Sequence, residues 1–194
     1  TTGATAINPS GGWDDDDDVA MFRVRDAIGE HVHPLHRLDR GTSGALLFAR
    51  SPEIAAALAK DFERGAVDKG YLALVRGEPP PEGVIDHPVP KGEGKERVPA
   101  VTRFEKVARS PIERASLVLA SPETGRLHQI RRHLRHLGHP LIGDVNYGSG
   151  EINRHYRARY GLHRLALHAV RLAFTHPVTG ARVERRARPG SVGI

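Results

Sequence analysis

Apolar positions along this chain recur with two periods, one near 3.6 residues and one of two. The longer period is clearest in "SPEIAAALAKDFERG", where Ile54, Leu58 and Phe62 share a face. Ser51 stands where an N-cap belongs, Pro52 occupies the first turn and Gly65 stops the pattern, so a helix is expected here. A second helix is expected in "TGRLHQIRRHLRHLGHP". It starts near Leu127, turns Ile130, Leu134 and Leu137 inward and stops at Gly138. A shorter one suits "DVAMFRVRDAIG", capped by Asp18, with Val19, Phe22, Val24 and Ile28 apolar and Gly29 at its end. "NRHYRARYG" reads as a basic, aromatic loop or short helix.

The two-residue period marks strands. "KGYLALVRG" alternates Tyr71, Ala73 and Val75 against Leu72 and Leu74, as a buried strand does. "ALLFA", from Ala45 to Ala49, reads as another buried strand. "AVTRFEKV" and "ERASLVLAS" form an expected pair, and residues 78–100, rich in Pro and Gly, a strand fragment plus a loop. "RLALHAVRLAFTHPVTGARVERRARP" reads as two strands joined by the turn "HPVTG". Together these predict an α+β domain with a mixed, mostly antiparallel sheet and flanking helices, without internal repeats. Residues 1–18 are small, polar and acidic with no periodicity and are expected to be a disordered acidic arm. Residues 19–194 then form the folded domain.

With 194 residues and 39% hydrophobic content, the chain can bury a sizeable core. No apolar run approaches the roughly 20 residues that span a bilayer, and the N-terminus lacks the pattern of a signal peptide. No cysteine is present, which excludes disulfides, thiolate metal sites and Cys nucleophiles and suits a cytoplasmic protein. The net charge is +6, and the consecutive aspartates Asp14 to Asp18 conceal a larger positive surplus. From Arg126 to Arg188 there are 13 arginines and no lysine, against only Asp144, Glu151 and Glu184. Arginine forks grip phosphates through two hydrogen bonds, and a basic face attracts polyanions, so a nucleic-acid partner is expected.

Among the twelve histidines, His133, His136 and His139 recur every third residue, but Gly138 and Pro140 end the helix there. No thiolate and no HExxH pattern supports a metal site, so these histidines are expected to face phosphates or pack at the helix end. No GxxxxGK[ST] loop, no GxGxxG after a strand and no GxSxG elbow occurs. That leaves Asp39 in "HPLHRLDRGTSGALLFARS", between Arg37 and Arg40. It is either an ordinary ion-paired turn acid or a reactive group. Gly41, Thr42, Ser43 and Gly44 follow, where backbone can approach a ligand closely. The second helix carries arginines with no nearby acid, and Arg131, at the margin of its apolar face, could reach the sheet and hold a carboxylate ionised. An ionised, partly buried aspartate is a structural ion pair, a nucleophile or a base.

"HRLDRGTSGALLFARS", "DKGYLALVRG", "TGRLHQIRRHLRHLGHPLIGDVNYG" and "RLALHAVRLAFTHPVTG", in this order and spacing, resemble the RluA family of pseudouridine synthases. The likeness runs from about residue 18 to residue 189. It implies the pseudouridine synthase fold with a central catalytic cleft, isomerase activity on an RNA uridine, and no cofactor or metal. Asp39 matches the family's catalytic aspartate, Tyr71 the tyrosine that packs on the target base and Arg131 the basic residue that pairs with the aspartate. Arg37 matches the arginine that helps fill the gap left by the departing uridine, and the run from Gly41 to Gly44 becomes the near wall of the uridine pocket. RNA contacts are expected from Arg40, Arg126, Gln129, Arg132, His133, Arg135, Arg154 and Arg157, with Arg159 beside them. "FRVRDAIGEHVHPLHRLDR" and "NRHYRARYGLHRLALHA" look most like the branch that modifies a uridine in the T-arm stem of tRNA. This implies a tRNA substrate, with 23S rRNA as the alternative and a non-catalytic RNA-binding protein as the alternative of another class. Family members usually begin with two strands carrying an Asn-Lys-Pro segment. The polar residues 1–18 stand in their place here, so those strands are expected to be missing. A monomer acting on a compact RNA is expected.

Overall fold

The longest alternating segments make the middle of one sheet. The computed structural model describes residues 20–92 and 96–189. In chain order the elements are α1 (Ala20–Ile28), β1 (His33–Pro34), β2 (Ser43–Gly44), β3 (Phe48–Ala49), α2 (Pro52–Glu63), β4 (Asp68–Arg76), β5 (Glu82–Asp86) and β6 (Val89–Pro90). There follow β7 (Arg97–Val98), β8 (Val101–Arg109), β9 (Ala115–Pro122), α3 (Gln129–His136), α4 (Gly150–Tyr160), β10 (Leu167–Thr175) and β11 (Arg182–Arg186). The expected acidic arm, its boundary at residue 18 and the Asp18 cap lie outside the described residues.

The main sheet runs β11-β10-β4-β9-β8-β5 with every neighbour antiparallel, and β2 joins β10 in parallel. This is the mixed, mostly antiparallel sheet the alternation predicts. Ala73, Val75, Val118 and Ala120 of its central strands are solvent-free, and Ile130 and Leu134 of α3 pack over them. On the flank, α2 lays Ile54, Leu58 and Phe62 against Leu172 and Phe174 of β10. Its N-cap is as expected, with Ser51 Oγ accepting the Ile54 N–H. α4 resolves the loop-or-helix alternative for "NRHYRARYG" as a helix, closed by Gly161 at φ +63° and packed through Tyr156 on Ile142 and Ala115.

"ALLFA" does not form the single buried strand expected of it. The chain pairs twice instead, at Ser43–Gly44 with β10 and at Phe48–Ala49 with β1, and Ala45 to Leu47 bridge the two. Gly44 explains the first pairing. Its φ is +116°, and a Cβ there would lie 2.3 Å from the Ala169 carbonyl oxygen. Only glycine lets the two backbones meet. Ser43 adds a side-chain tie. His168 Nε2 donates to the Ala187 carbonyl oxygen at 3.1 Å, and in the neutral ring Nδ1 then accepts the Ser43 hydroxyl at 2.8 Å. The Gly-Thr-Ser-Gly run is therefore bound to β10, and only Thr42 of it lines the cleft described below. Gly44→Ala is expected to cost more than ~2 kcal/mol, because the clash is with backbone and the φ is hostile to a side chain. A lowered midpoint of urea unfolding reads this out.

Candidate active site

A cleft of about 740 Å³ opens between the segment following β1, the start of β4 and the N-terminal end of α3. Asp39, Thr42, Lys69, Tyr71, His128 and Leu167 are among the side chains lining it. The Asp39 segment is shaped by backbone. The Asp39 carbonyl accepts the Thr42 N–H at 2.8 Å, and Gly41 turns the chain with φ +85°. Leu35 N–H donates to Leu47 O at 3.1 Å, and Leu47 N–H to His36 Nε2 at 3.1 Å. His36 also stacks on Phe62 of α2, with ring centroids 5.2 Å apart. Burial first, and then the nearby Lys69 charge, push its imidazole down from 6.5 to about 4.

That shift has a definite sign. The unfolded chain binds a proton at His36 below pH 6.5, whereas the folded one resists it until about 4. The contribution to stability is therefore complete above pH 6.5, falls as the pH drops and is gone below about 4. Its size is on the order of 3 kcal/mol. Urea midpoints measured between pH 7 and 4 are expected to fall less steeply in His36→Gln than in the wild type.

Three charged groups meet where Asp39 lines the cleft, with Arg131 and Asp144 buried behind it. Arg131, in the first turn of α3, is only 6% exposed. Its Nη1 faces Asp39 Oδ2 at 3.4 Å. Its Nε and Nη2 donate to the two oxygens of Asp144 at 2.7 and 2.8 Å. Asp144, 1% exposed, also accepts the backbone N–H groups of Asn146 and Tyr147 on Oδ1, at 2.9 and 3.0 Å. Burial alone would raise its pKa. The Arg131 hydrogen bonds, the two amides and the guanidinium charge outweigh it and hold the carboxyl below its ordinary range. For Arg131, burial works against the cation, and the two carboxylates outweigh it and raise its pKa. The Tyr147 ring lies 5.0 Å from the Arg131 guanidinium.

Tyr71 stands half-buried on β4, packed against the cluster that holds Ile130 and Leu134. Burial and then the Asp39 charge push its phenol up to about 12, so it is protonated at neutral pH. His128 precedes α3 with φ +54°, the positive-φ residue other than glycine among the described residues. Its Nδ1 lies 3.1 Å from Tyr147 Oη, and burial first of all lowers its pKa.

The other expected contacts divide. Arg37 and Arg126 are exposed on the cleft rim, and Arg40 is exposed beside Asp39. Arg135 on α3 and Arg154 and Arg157 on α4 are also exposed. Arg132 spends two donors on the protein, Nε on Tyr147 Oη at 2.9 Å and Nη1 on Pro90 O at 2.8 Å. Arg159 is tied to Tyr160 and Glu113. Gln129 and His133 do not fit the RNA contacts expected of them. Gln129 is 4% exposed and satisfies its whole amide internally. Its Oε1 accepts from Thr124 Oγ1 and Arg126 N, while its Nε2 donates to Val101 O and Thr102 Oγ1. His133 is fully buried between Thr102 Oγ1 and His87 O. Both lie on the face of α3 turned to β8, so they bolt the helix down and leave Arg131 aimed at Asp39 and Asp144. His136 stacks on His87 at 3.7 Å, and His139 sits 2.9 Å from Arg76 O. Among the described residues, no group of three or more His, Cys, Asp or Glu side chains could hold a metal ion.

Asp144 is the residue the sequence reading missed. Arg131 does have an acid nearby, thirteen positions on, across a turn that brings "GDVNYG" beneath α3. The available signal was scarcity, since only three acids stand in the arginine-rich stretch from Arg126 to Arg188.

A family model described as RNA pseudouridylate synthase matches residues 5–136. The tRNA pseudouridine synthase C of Pasteurella multocida (strain Pm70) is 45% identical over 182 residues, covering 84% of this chain and 75% of that protein. That of Haemophilus ducreyi is 43% identical over 178 residues, covering 82% and 73%. The solved structure of human RNA Pseudouridylate Synthase Domain Containing 1 superposes with a TM-score of 0.75 at 28% identity, over 88% of this chain and 74% of that one. The corresponding Domain Containing 4 protein gives 0.71 at 26% identity, over 88% and 77%.

Proposed function

The chain belongs to the RNA pseudouridylate synthase family, of the RluA type, and is an isomerase that converts uridine to pseudouridine in RNA; from this premise we propose that it acts on tRNA, at a uridine of the T-arm stem, with Asp39 as the reacting carboxylate. The observation that carries the site reading is the convergence of Asp39 and Tyr71 in one cleft, with the buried Arg131 behind Asp39. The tRNA substrate is supported by the relatives named tRNA pseudouridine synthase C.

The reaction breaks the N1–C1′ bond, turns the uracil and joins C5 to C1′. One proton leaves C5 and one is gained at N1, so atoms and electrons balance within the nucleotide. Asp39 acts either as nucleophile at C1′ or as base at C2′, and both roles need the ionised form. The Arg131 guanidinium stands behind it, with Nη1 3.4 Å from Asp39 Oδ2. Tyr71, protonated, offers the face of its ring to the uracil and its phenol for proton movement. A stem uridine must leave its stack, at a cost of a few kcal/mol. Phosphate contacts from Arg37, Arg40, Arg126, Arg135, Arg154 and Arg157 offset that cost, with Arg37 filling the gap. The working unit in this reading is a cytoplasmic monomer. Among the described residues no helix is long and apolar enough to cross a membrane.

The test is tritium release from 5-tritiated uridine in tRNA and rRNA transcripts. Release from tRNA is expected, limited to one uridine per molecule and lost when the T-arm uridine is replaced. Release from rRNA with none from tRNA would overturn the substrate assignment and leave the isomerase standing.

A further inference from the structure

We propose that Asp144 is a positioning residue for the isomerisation: by occupying the two-nitrogen edge of Arg131 it restricts Asp39 to a single longer contact, and so keeps the reactive carboxylate available. The inference rests on the reading of Asp39 as the reacting group.

A guanidinium prefers to pair with a carboxylate through two parallel hydrogen bonds. Two carboxylates compete for one guanidinium here, and they share it unequally. Asp144 holds the Nε–Nη2 edge at 2.7 and 2.8 Å, and Asp39 receives only Nη1 at 3.4 Å. A forked pair with Asp39 would engage both its oxygens and direct them at Arg131, away from a sugar carbon or a C2′ proton.

What prevents that is the immobility of Asp144. Its side chain accepts two backbone amides besides Arg131. Its carbonyl accepts the Gly148 N–H at 3.1 Å and Asn153 Nδ2 at 2.9 Å. Asn153 Oδ1 in turn accepts the Gly143 N–H at 2.8 Å, pinning both sides of Asp144 to α4. A Cβ on Gly148 would lie 2.4 Å from the Asp144 carbonyl oxygen, so the loop closes this tightly only with glycine there. Tyr147 covers one face of the guanidinium. The plane of Arg131 is thus set from behind, and Asp39 meets a cation already committed elsewhere.

Asp144→Asn tests this, because the amide keeps the shape but sets a donor against one donor of Arg131. Turnover at saturating tRNA is expected to fall about 10- to 100-fold, the penalty of a misaligned reacting group. KM should stay within about threefold, since Asp144 touches no RNA in this reading. In an Arg131→Met background the same change should not lower turnover further, and it should raise the unfolding midpoint by removing an unpaired buried charge. Unchanged turnover in Asp144→Asn with only a lowered midpoint would make Asp144 merely structural and overturn the proposal. So would a further fall in the Arg131→Met background. Should Asp144→Asn not fold, Arg131→Lys decides instead. An ammonium has no two-nitrogen edge to hold Asp144 while a third, fixed nitrogen faces Asp39, so turnover is expected to drop, and wild-type turnover would overturn the proposal. If Asp39→Ala keeps its activity, the reading of Asp39 fails, whichever way Asp144 behaves.

Discussion

Asp39→Ala is expected to lower turnover at least about a thousandfold, because it removes the group proposed to work as nucleophile or base at the sugar. Glu63 and Glu123 also line the cleft but are exposed, and Asp144, held by Arg131, is 1% exposed with both oxygens engaged. The fold should survive the change. The Asp39 turn is closed by its own carbonyl and by Gly41, neither of which alanine alters. Arg131 keeps its principal partner, so no buried charge is orphaned. RNA affinity is expected to stay within about threefold, since the basic rim is untouched. Single-turnover tritium release beside a filter-binding titration separates the two quantities. Wild-type release by Asp39→Ala would remove Asp39 from the mechanism.

Arg131→Met is expected to damage both activity and stability. Removing the guanidinium leaves Asp144 buried without a cation, a change that costs about 3–5 kcal/mol where one partner of a buried pair is deleted. The loss should be fully visible at neutral pH. Asp144 is held below the ordinary carboxylate range, so the pair contributes its full stability above that range and loses it as the pH falls through the lowered value. In acid the wild type and Arg131→Met should therefore converge. Activity should fall with little change in RNA affinity, because Arg131 is 6% exposed and faces two carboxylates rather than solvent. A uniform loss of RNA binding with intact turnover would instead make Arg131 a phosphate contact. Urea midpoints from pH 7 to 3 and the tritium assay together read all three quantities.

These expectations differ in kind from those for the rim arginines. Arg154 and Arg157 are exposed on α4, and each should add to salt-dependent affinity without touching turnover at saturation. In the proposed reading the buried groups act through geometry and a fixed charge, and the exposed arginines through counterion release. The distinction follows from burial, which turns Arg131 to two carboxylates and leaves Arg154 and Arg157 facing solvent.

Much of this protein was determined by local sequence. α2 follows from Ser51, Pro52, the Ile54–Leu58–Phe62 face and Gly65, because capping and helical period act within a few residues. β4, β8, β9 and the β10–β11 hairpin follow from alternation, and the motifs that carry Asp39, Tyr71 and Arg131 pointed by resemblance to an RNA isomerase. Tertiary structure decided the rest, because it turns on which distant groups meet. "ALLFA" is apolar enough for a strand, yet Gly44 and the available edges of β10 and β1 divided its pairing. Gln129 and His133 are polar and looked like RNA contacts, until the rotation of α3 against β8 buried them on Val101, Thr102 and His87. Composition could count the arginines between Arg126 and Arg188, but not tell which one lies inside. That Arg131 pairs twice with Asp144 and once with Asp39, ninety-two positions away, depends on a packed helix and a pinned loop. Periodicity is a property of neighbours in the chain, whereas a shared guanidinium is a property of neighbours in space.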